Sequence, residues 1–125
     1  MKKYVDGFLL VVPKNKIEEY KKMASMGRDS WMKHGALGYY ECKGNDMAAQ
    51  DMGGVKLRAF PEVAGAHPDE DVWFSFIIFK SKEHRDEVNA KVMKEMGEEM
   101  KDKGMTMPFD MKRFSYGGFE VEVEG

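Results

Sequence analysis

Hydrophobic positions along this chain follow two periods in turn, and each change of period marks an element. In YVDGFLLVV, residues 4–12, aromatic and branched side chains fill both alternating sets of positions until Pro13, which predicts a strand apolar on both faces. The spacing then shifts to threes and fours over Ile17, Tyr20, Ala24, Gly27, Trp31 and His34, the stripe of a helix. Asn15 and Glu18 form a capping-box-like start, and Gly35 closes the helix. LGYYECK, residues 37–43, reads as a second strand. From Gly44 to Asp71 the chain is rich in Gly, Ala, Pro and acidic residues, with a weak signal around VKLRAF, and reads as a long irregular connection of the kind that is often functional or mobile. VWFSFIIFK, residues 72–80, is the strongest strand pattern and is again apolar on both faces. Ser81 caps a helix expected to end near Gly97, with Val88, Val92, Met96 and Met100 on one stripe. KRFSYGGFEVEVE, residues 112–124, is a last strand with Phe119, Val121 and Val123 on one face and Glu120, Glu122 and Glu124 on the other. Its glycine pair, Gly117 and Gly118, reads as a β-bulge or bend.

The order strand, helix, strand, strand, helix, strand predicts an α+β chain with the ferredoxin-like split βαβ arrangement, an antiparallel sheet carrying both helices on one face. Two strands apolar on both faces leave the opposite face in need of cover. A second copy of the chain is the simplest cover, so a homodimer packed sheet to sheet is expected.

Composition narrows the function. A chain of 125 residues makes one domain, 1–125, with a core that needs no metal or disulfide. With 20 basic and 22 acidic side chains the net charge is -2, which offers phosphates no general attraction and argues against nucleic acid as a partner. A single cysteine, Cys42, and three scattered histidines, His34, His67 and His84, provide no zinc pattern and suit a reducing cytoplasm. Met1-Lys2-Lys3 before FLLVV superficially resembles a leader, but Asp6, Gly7 and Pro13 interrupt it, so the start reads as mature protein. No apolar run approaches the ~20 residues a membrane span requires.

The tripeptide His84-Arg85-Asp86 imitates the kinase catalytic loop, yet Asn89 follows Asp86 too closely and the tripeptide opens a helix, so that reading fails. Helical steps instead put Arg85 and Asn89 on the apolar stripe and turn His84 and Asp86 to its sides. Two inward polar groups one turn apart need partners, because a buried unpaired one costs about 1–3 kcal/mol. Asp6 is the only charged side chain of the first strand, and Arg85 or Arg113 could answer it. The plain reading is a structural ion pair between helix and sheet. The sharper one is a pocket between helices and sheet lined by Asp6, Tyr20, Trp31, His34, Arg85 and Asn89, holding a small anionic or carbonyl-bearing molecule. His34 reads as a half-buried residue at a helix C-terminus or as a catalytic or haem-ligating one, His84 as a surface or capping residue, His67 as part of a solvated acidic loop, and Cys42 as an inert buried thiol. Half of the 12 methionines fall between Met93 and Met111. Met93, Met96, Met100, Met105 and Met107 could suit copper(I), but the helical ones share the core stripe and read as flexible packing, so no metal is expected.

The segments YVDGFLLVVPK, SWMKHGALGYYEC, FKSKEHRDEVNAKVMK and MPFDMKRFSYGGFEVEVE resemble the YbaA-like family of small bacterial proteins, a family grouped by an unknown-function domain. That resemblance implies the dimeric α/β-barrel superfamily, which includes cofactor-independent monooxygenases, haem-degrading enzymes and small isomerases, and it supplies no activity. Two classes of function follow: a small-molecule-binding dimer, or a cofactor-independent monooxygenase- or isomerase-like enzyme with His34 or Asp6 as base. Neither requires a cofactor.

Overall fold

A computed structural model describes residues 1–101 and 107–125. The elements are β1 (Tyr4–Pro13), α1 (Ile17–Lys33), β2 (Gly38–Lys43), β3 (Asp51–Met52), β4 (Val55–Lys56), α2 (Phe60–Ala64), β5 (Glu70–Phe79), α3 (Lys82–Lys101) and β6 (Ser115–Glu120). Four of the strands form one antiparallel sheet in the order β2-β5-β1-β6, with the two longest strands, β1 and β5, at its centre. This is the ferredoxin-like order. The sheet of one chain is open, with β2 and β6 at its edges, so no barrel closes within it.

Alternation along the central strands decides what each face carries. Tyr4, Asp6, Leu10 and Val12 of β1 share one face with Trp73, Ser75, Ile77 and Phe79 of β5, and α1 and α3 cover that face. Val88 and Val92 of α3 pack with Tyr4, Ile77 and Phe79, while Tyr20 and Ala24 of α1 pack with Leu10, Val12 and Trp73. Full burial of side chains such as Phe79, Leu10 and Val92 contributes about 1.5–3 kcal/mol each, and this holds the helices to the sheet.

On the opposite face, the long connection does more than the sequence suggests. It forms the β3–β4 hairpin, turned by Gly53 and Gly54 at positive φ, and then α2, whose Ala64 covers Val11 and Val72. Pro61 in the first turn and Gly65 in the left-handed conformation are the start and stop of α2. The rest of that face is left open, with Phe74 and Phe119 exposed.

Several expectations change at closer range. Asn15 lies in a 3-10 turn, Lys14–Lys16, and no side chain caps α1. Ser81 does cap α3, accepting from the His84 N–H at 3.1 Å, and the helix continues past Gly97 to Lys101. Gly117 and Gly118 form no bulge: they pair in regular register with Gly7 and Asp6. Gly118 is required because a Cβ there would sit 2.4 Å from the Tyr4 hydroxyl. β6 ends at Glu120, before Val121 and Val123. Cys42 is exposed rather than buried, since it sits on the edge strand β2. Met105 and the Met100 side chain lie outside the described residues.

Candidate functional site

Two carboxylates on the helix-covered face of the sheet, Asp6 and Glu41, each gather a set of polar side chains. Asp6, on β1, is 1% exposed. Its Oδ1 accepts from Arg85 Nη1 at 3.2 Å and its Oδ2 from Asn89 Nδ2 at 3.2 Å, so the two inward polar groups of α3 bind one anion. Arg85 also donates to the hydroxyls of Tyr116 at 2.6 Å and Tyr4 at 3.3 Å, and its guanidinium carbon lies 4.8 Å from the centre of the Tyr4 ring. Asn89 in turn accepts from the Trp31 indole N–H at 2.9 Å. Burial opposes the Arg85 charge, but Asp6 and the neighbouring hydroxyls outweigh it and hold the guanidinium protonated more firmly than an ordinary arginine. This is the structural ion pair of the plain reading. Arg113, the other candidate partner, binds Glu70 instead through two bonds of 2.6 and 2.7 Å.

The second carboxylate, Glu41, is on β2 directly opposite Ser75 of β5. Its Oε1 accepts from the Tyr20 hydroxyl at 2.7 Å and from the Ser75 hydroxyl, and its Oε2 accepts from the Tyr39 hydroxyl at 2.6 Å. Burial, reinforced by the charge of Glu41, pushes both tyrosines well above their ordinary range, so both stay protonated as donors. Among the described residues no cation forms an ion pair with Glu41.

A cavity of about 170 Å³ opens beside this cluster. Its walls come from α1 (Tyr20, Met23, Gly27, Trp31), from the sheet (Phe8, Tyr39, Ile77) and from a cover formed by Met96, Met107, Phe109 and Phe114. Among the described residues Glu41 is the one charged side chain that lines it. Gly27 shapes the wall, since a Cβ there would approach the Tyr39 hydroxyl to 3.1 Å and the Trp31 ring to 3.4 Å. A helix interior ordinarily disfavours glycine by ~1 kcal/mol relative to alanine, so the close approach of these two side chains accounts for it. On its outer side Glu41 also borders a groove between α1 and the β2 edge that carries Lys14, Lys21, Arg28 and Lys43.

The six residues expected to line one pocket therefore divide three ways. Tyr20 and Trp31 line the cavity. Asp6, Arg85 and Asn89 form the neighbouring closed network, joined to the cavity wall through Trp31. His34, at the C-terminus of α1, is turned to α3, where its Nε2 lies 2.5 Å from Glu95 and draws the Glu95 carboxyl below its ordinary range. Neither Asp6 nor His34, the candidate bases, lines the cavity. Glu41, Tyr39 and Ser75 were missed. Their signal was present in the alternation: Tyr39 and Glu41 share a face of β2, and Ser75 is the lone polar residue inside VWFSFIIF.

Residues 3–111 match the model of the family described as protein of unknown function (DUF1428). The chain is 42% identical over 122 residues, 98% of each partner, to the uncharacterized protein YbaA of Escherichia coli strain K12, and equally to that of Shigella flexneri. Two crystal structures from an uncultured marine organism, each described as a dimeric ferredoxin-like protein, are similar in fold. One has a TM-score of 0.60 at 9% identity and full coverage of both chains, and the other 0.59 at 13% identity with 100% and 98% coverage.

Proposed function

Since the chain belongs to the DUF1428 family of proteins of unknown function, its relatives bring no activity with them, and we propose from the geometry that it binds a small molecule in the cavity between helices and sheet. The observation that carries this reading is the cavity itself: about 170 Å³ of space walled by aromatic rings and thioethers, with one polar cluster at its side. The cavity is partly open, so a ligand can enter it, and covering its apolar lining is favourable. Its volume is near that of an engineered cavity of ~150 Å³ that takes up benzene, so the ligand has a body of about one ring. An anionic ligand drawn by Arg85 does not suit this space, because Arg85 is committed to Asp6 and the charged group of the cavity is a carboxylate.

The test is a titration of the protein with one-ring compounds (toluene, indole, 2-phenylethanol) followed through the Trp31 indole N–H resonance. Saturable shifts at Trp31, abolished in Ala24→Phe, are the expected result. A cavity that stays silent to all three sinks the reading.

The same reading includes a homodimer packed through the open sheet face. Phe74 and Phe119 are exposed there beside the partly buried Val5, Leu9 and Phe76. Two structures of similar fold are described as dimeric, which supports a second copy as the cover for this face. Two such sheets stacked face to face would complete the barrel that one chain leaves open. Light scattering is expected to give twice the chain mass, and the pair Phe74→Glu with Phe119→Glu the single mass. A monomer in the unsubstituted protein would exclude this arrangement.

A further inference from the structure

We infer that the ligand of this cavity carries a cationic head group, a protonated amine on an aromatic or apolar body of about one ring, and that Glu41 is the residue that receives it. The inference deepens the reading of the cavity as a small-molecule site and depends on it. It rests on how the charge of Glu41 is treated. Three hydroxyls, from Tyr20, Tyr39 and Ser75, donate to its two oxygens. Hydroxyl donors replace the water that the carboxylate gave up, but they leave its negative charge uncancelled. A carboxylate offers about four lone-pair positions, and these donors occupy three of them, so one is left for a further donor.

The chain answers Asp6, on the same face, differently. At Asp6 the partner is a guanidinium, which cancels the charge in place. At Glu41 no lining residue of the cavity is cationic among the described residues. The basic side chains of the outer groove, Arg28 and Lys21 among them, lie toward solvent and pair with Asp29 and Glu18. Charges so exposed are screened by water and salt and substitute poorly for a contacting cation.

The rest of the wall points the same way. Tyr20, Trp31 and Tyr39 line the same cavity as Glu41, and aromatic faces attract cations through their ring quadrupoles. Tyr20 and Tyr39 are held protonated by their burial, so they remain donors to Glu41 and add no second negative charge. The site thus offers one anion, aromatic faces beside it, and an apolar end of one-ring size.

Three isosteric probes separate this inference from the reading beneath it: 2-phenylethylamine, 2-phenylethanol and phenylacetate, each titrated against the protein by calorimetry at neutral pH. The amine is expected to bind roughly tenfold or more tightly than the alcohol, the margin of a charge-assisted bond over a neutral one, and phenylacetate weakest. In Glu41→Gln the amine should fall to the affinity of the alcohol, with the alcohol itself little changed. An alcohol or acid that binds as well as the amine overturns the cationic head group and leaves the cavity reading standing. A preference for the amine that persists in Glu41→Gln overturns the role of Glu41. If none of the three binds, both readings fall. Should Glu41→Gln fail to fold, the order of the three probes in the unsubstituted protein still decides the head group.

Discussion

Asp6 and Glu41 make an instructive pair, because the same sheet face presents both and the chain treats them in opposite ways. Asp6 sits on a central strand under α3, where an amide and a guanidinium bind it, the guanidinium also donating to two phenolic hydroxyls. Glu41 sits on an edge strand under α1, where three hydroxyls clothe it and a cavity adjoins it. Charge compensation inside the chain yields a fixed joint between helix and sheet. Hydrogen-bond satisfaction without charge compensation yields a group that is stable in place and keeps room for a further donor. Trp31 connects the two, since its N–H serves the Asp6 network while its ring walls the cavity.

Arg85→Met should separate the two regions most sharply. It leaves Asp6 buried without a cation and is expected to cost about 3–5 kcal/mol, read by urea unfolding, while the affinity of any cavity ligand stays the same in the folded protein. Glu41→Gln is expected to cost only about 1 kcal/mol, since the three hydroxyls can reorient around the amide. Equal costs for the two substitutions would erase the distinction drawn here.

Trp31→Phe comes next, because it strikes the shared residue. Loss of the indole N–H strands Asn89 Oδ1, at about 1–3 kcal/mol, and the smaller ring widens the cavity, so stability and ligand affinity should fall together. A change in only one of them would mean that the two regions are independent.

The pH response distinguishes the clusters more gently. Tyr20 and Tyr39 hold their protons in the folded protein more tightly than at their ordinary value of 10.0. The unfolded chain gives up those protons first, so their contribution to stability is present below pH 10 and declines as pH rises above it. Absorbance at 295 nm should show these two tyrosines silent until alkaline unfolding begins, and Glu41→Gln should bring their ionisation to lower pH. Tyrosines that titrate together near pH 10 without unfolding would contradict the buried cluster.

Gly27→Ala carries the smallest expected effect on stability. The ~1 kcal/mol gained in helix propensity is set against a methyl pressed on the Tyr39 hydroxyl, leaving stability within about 1 kcal/mol of the parent while ligand affinity drops. An unchanged affinity would indicate that Tyr39 can yield without disturbing Glu41.

Much of the architecture was readable before any coordinates. Runs of aromatic and branched residues located the central strands, alternation the last one, and the spacing of three to four both long helices, because burial of one or both faces imposes those patterns directly. The inward turn of Arg85 and Asn89, and their need for partners, followed from the same helical step, whereas Asp6 could have met Arg85 or Arg113. Short elements were less readable: the β3–β4 hairpin and α2 have too few residues for a period to show, although Pro61 and Gly65 were signals for α2. The glycine pair at 117 and 118 suggested a bulge because, in the sequence alone, the Tyr4 ring that lies against Gly118 is far away.

The sequence by itself determined the order of the long elements, the two-sided apolar strands and the inward turn of Arg85 and Asn89, since each depends on local spacing, while the choice of Arg85 over Arg113 as the partner of Asp6 waited for the fold. Only the tertiary structure decided that Glu41 meets Ser75, Tyr20 and Tyr39, and that a cavity lies beside them. Those contacts are set by the β2–β5 register and by the seat of α1 on the sheet, which join residues far apart in the chain. A polar residue inside an apolar strand announces that it needs a partner. Which partner it finds, and how much space is left between them, is settled by packing.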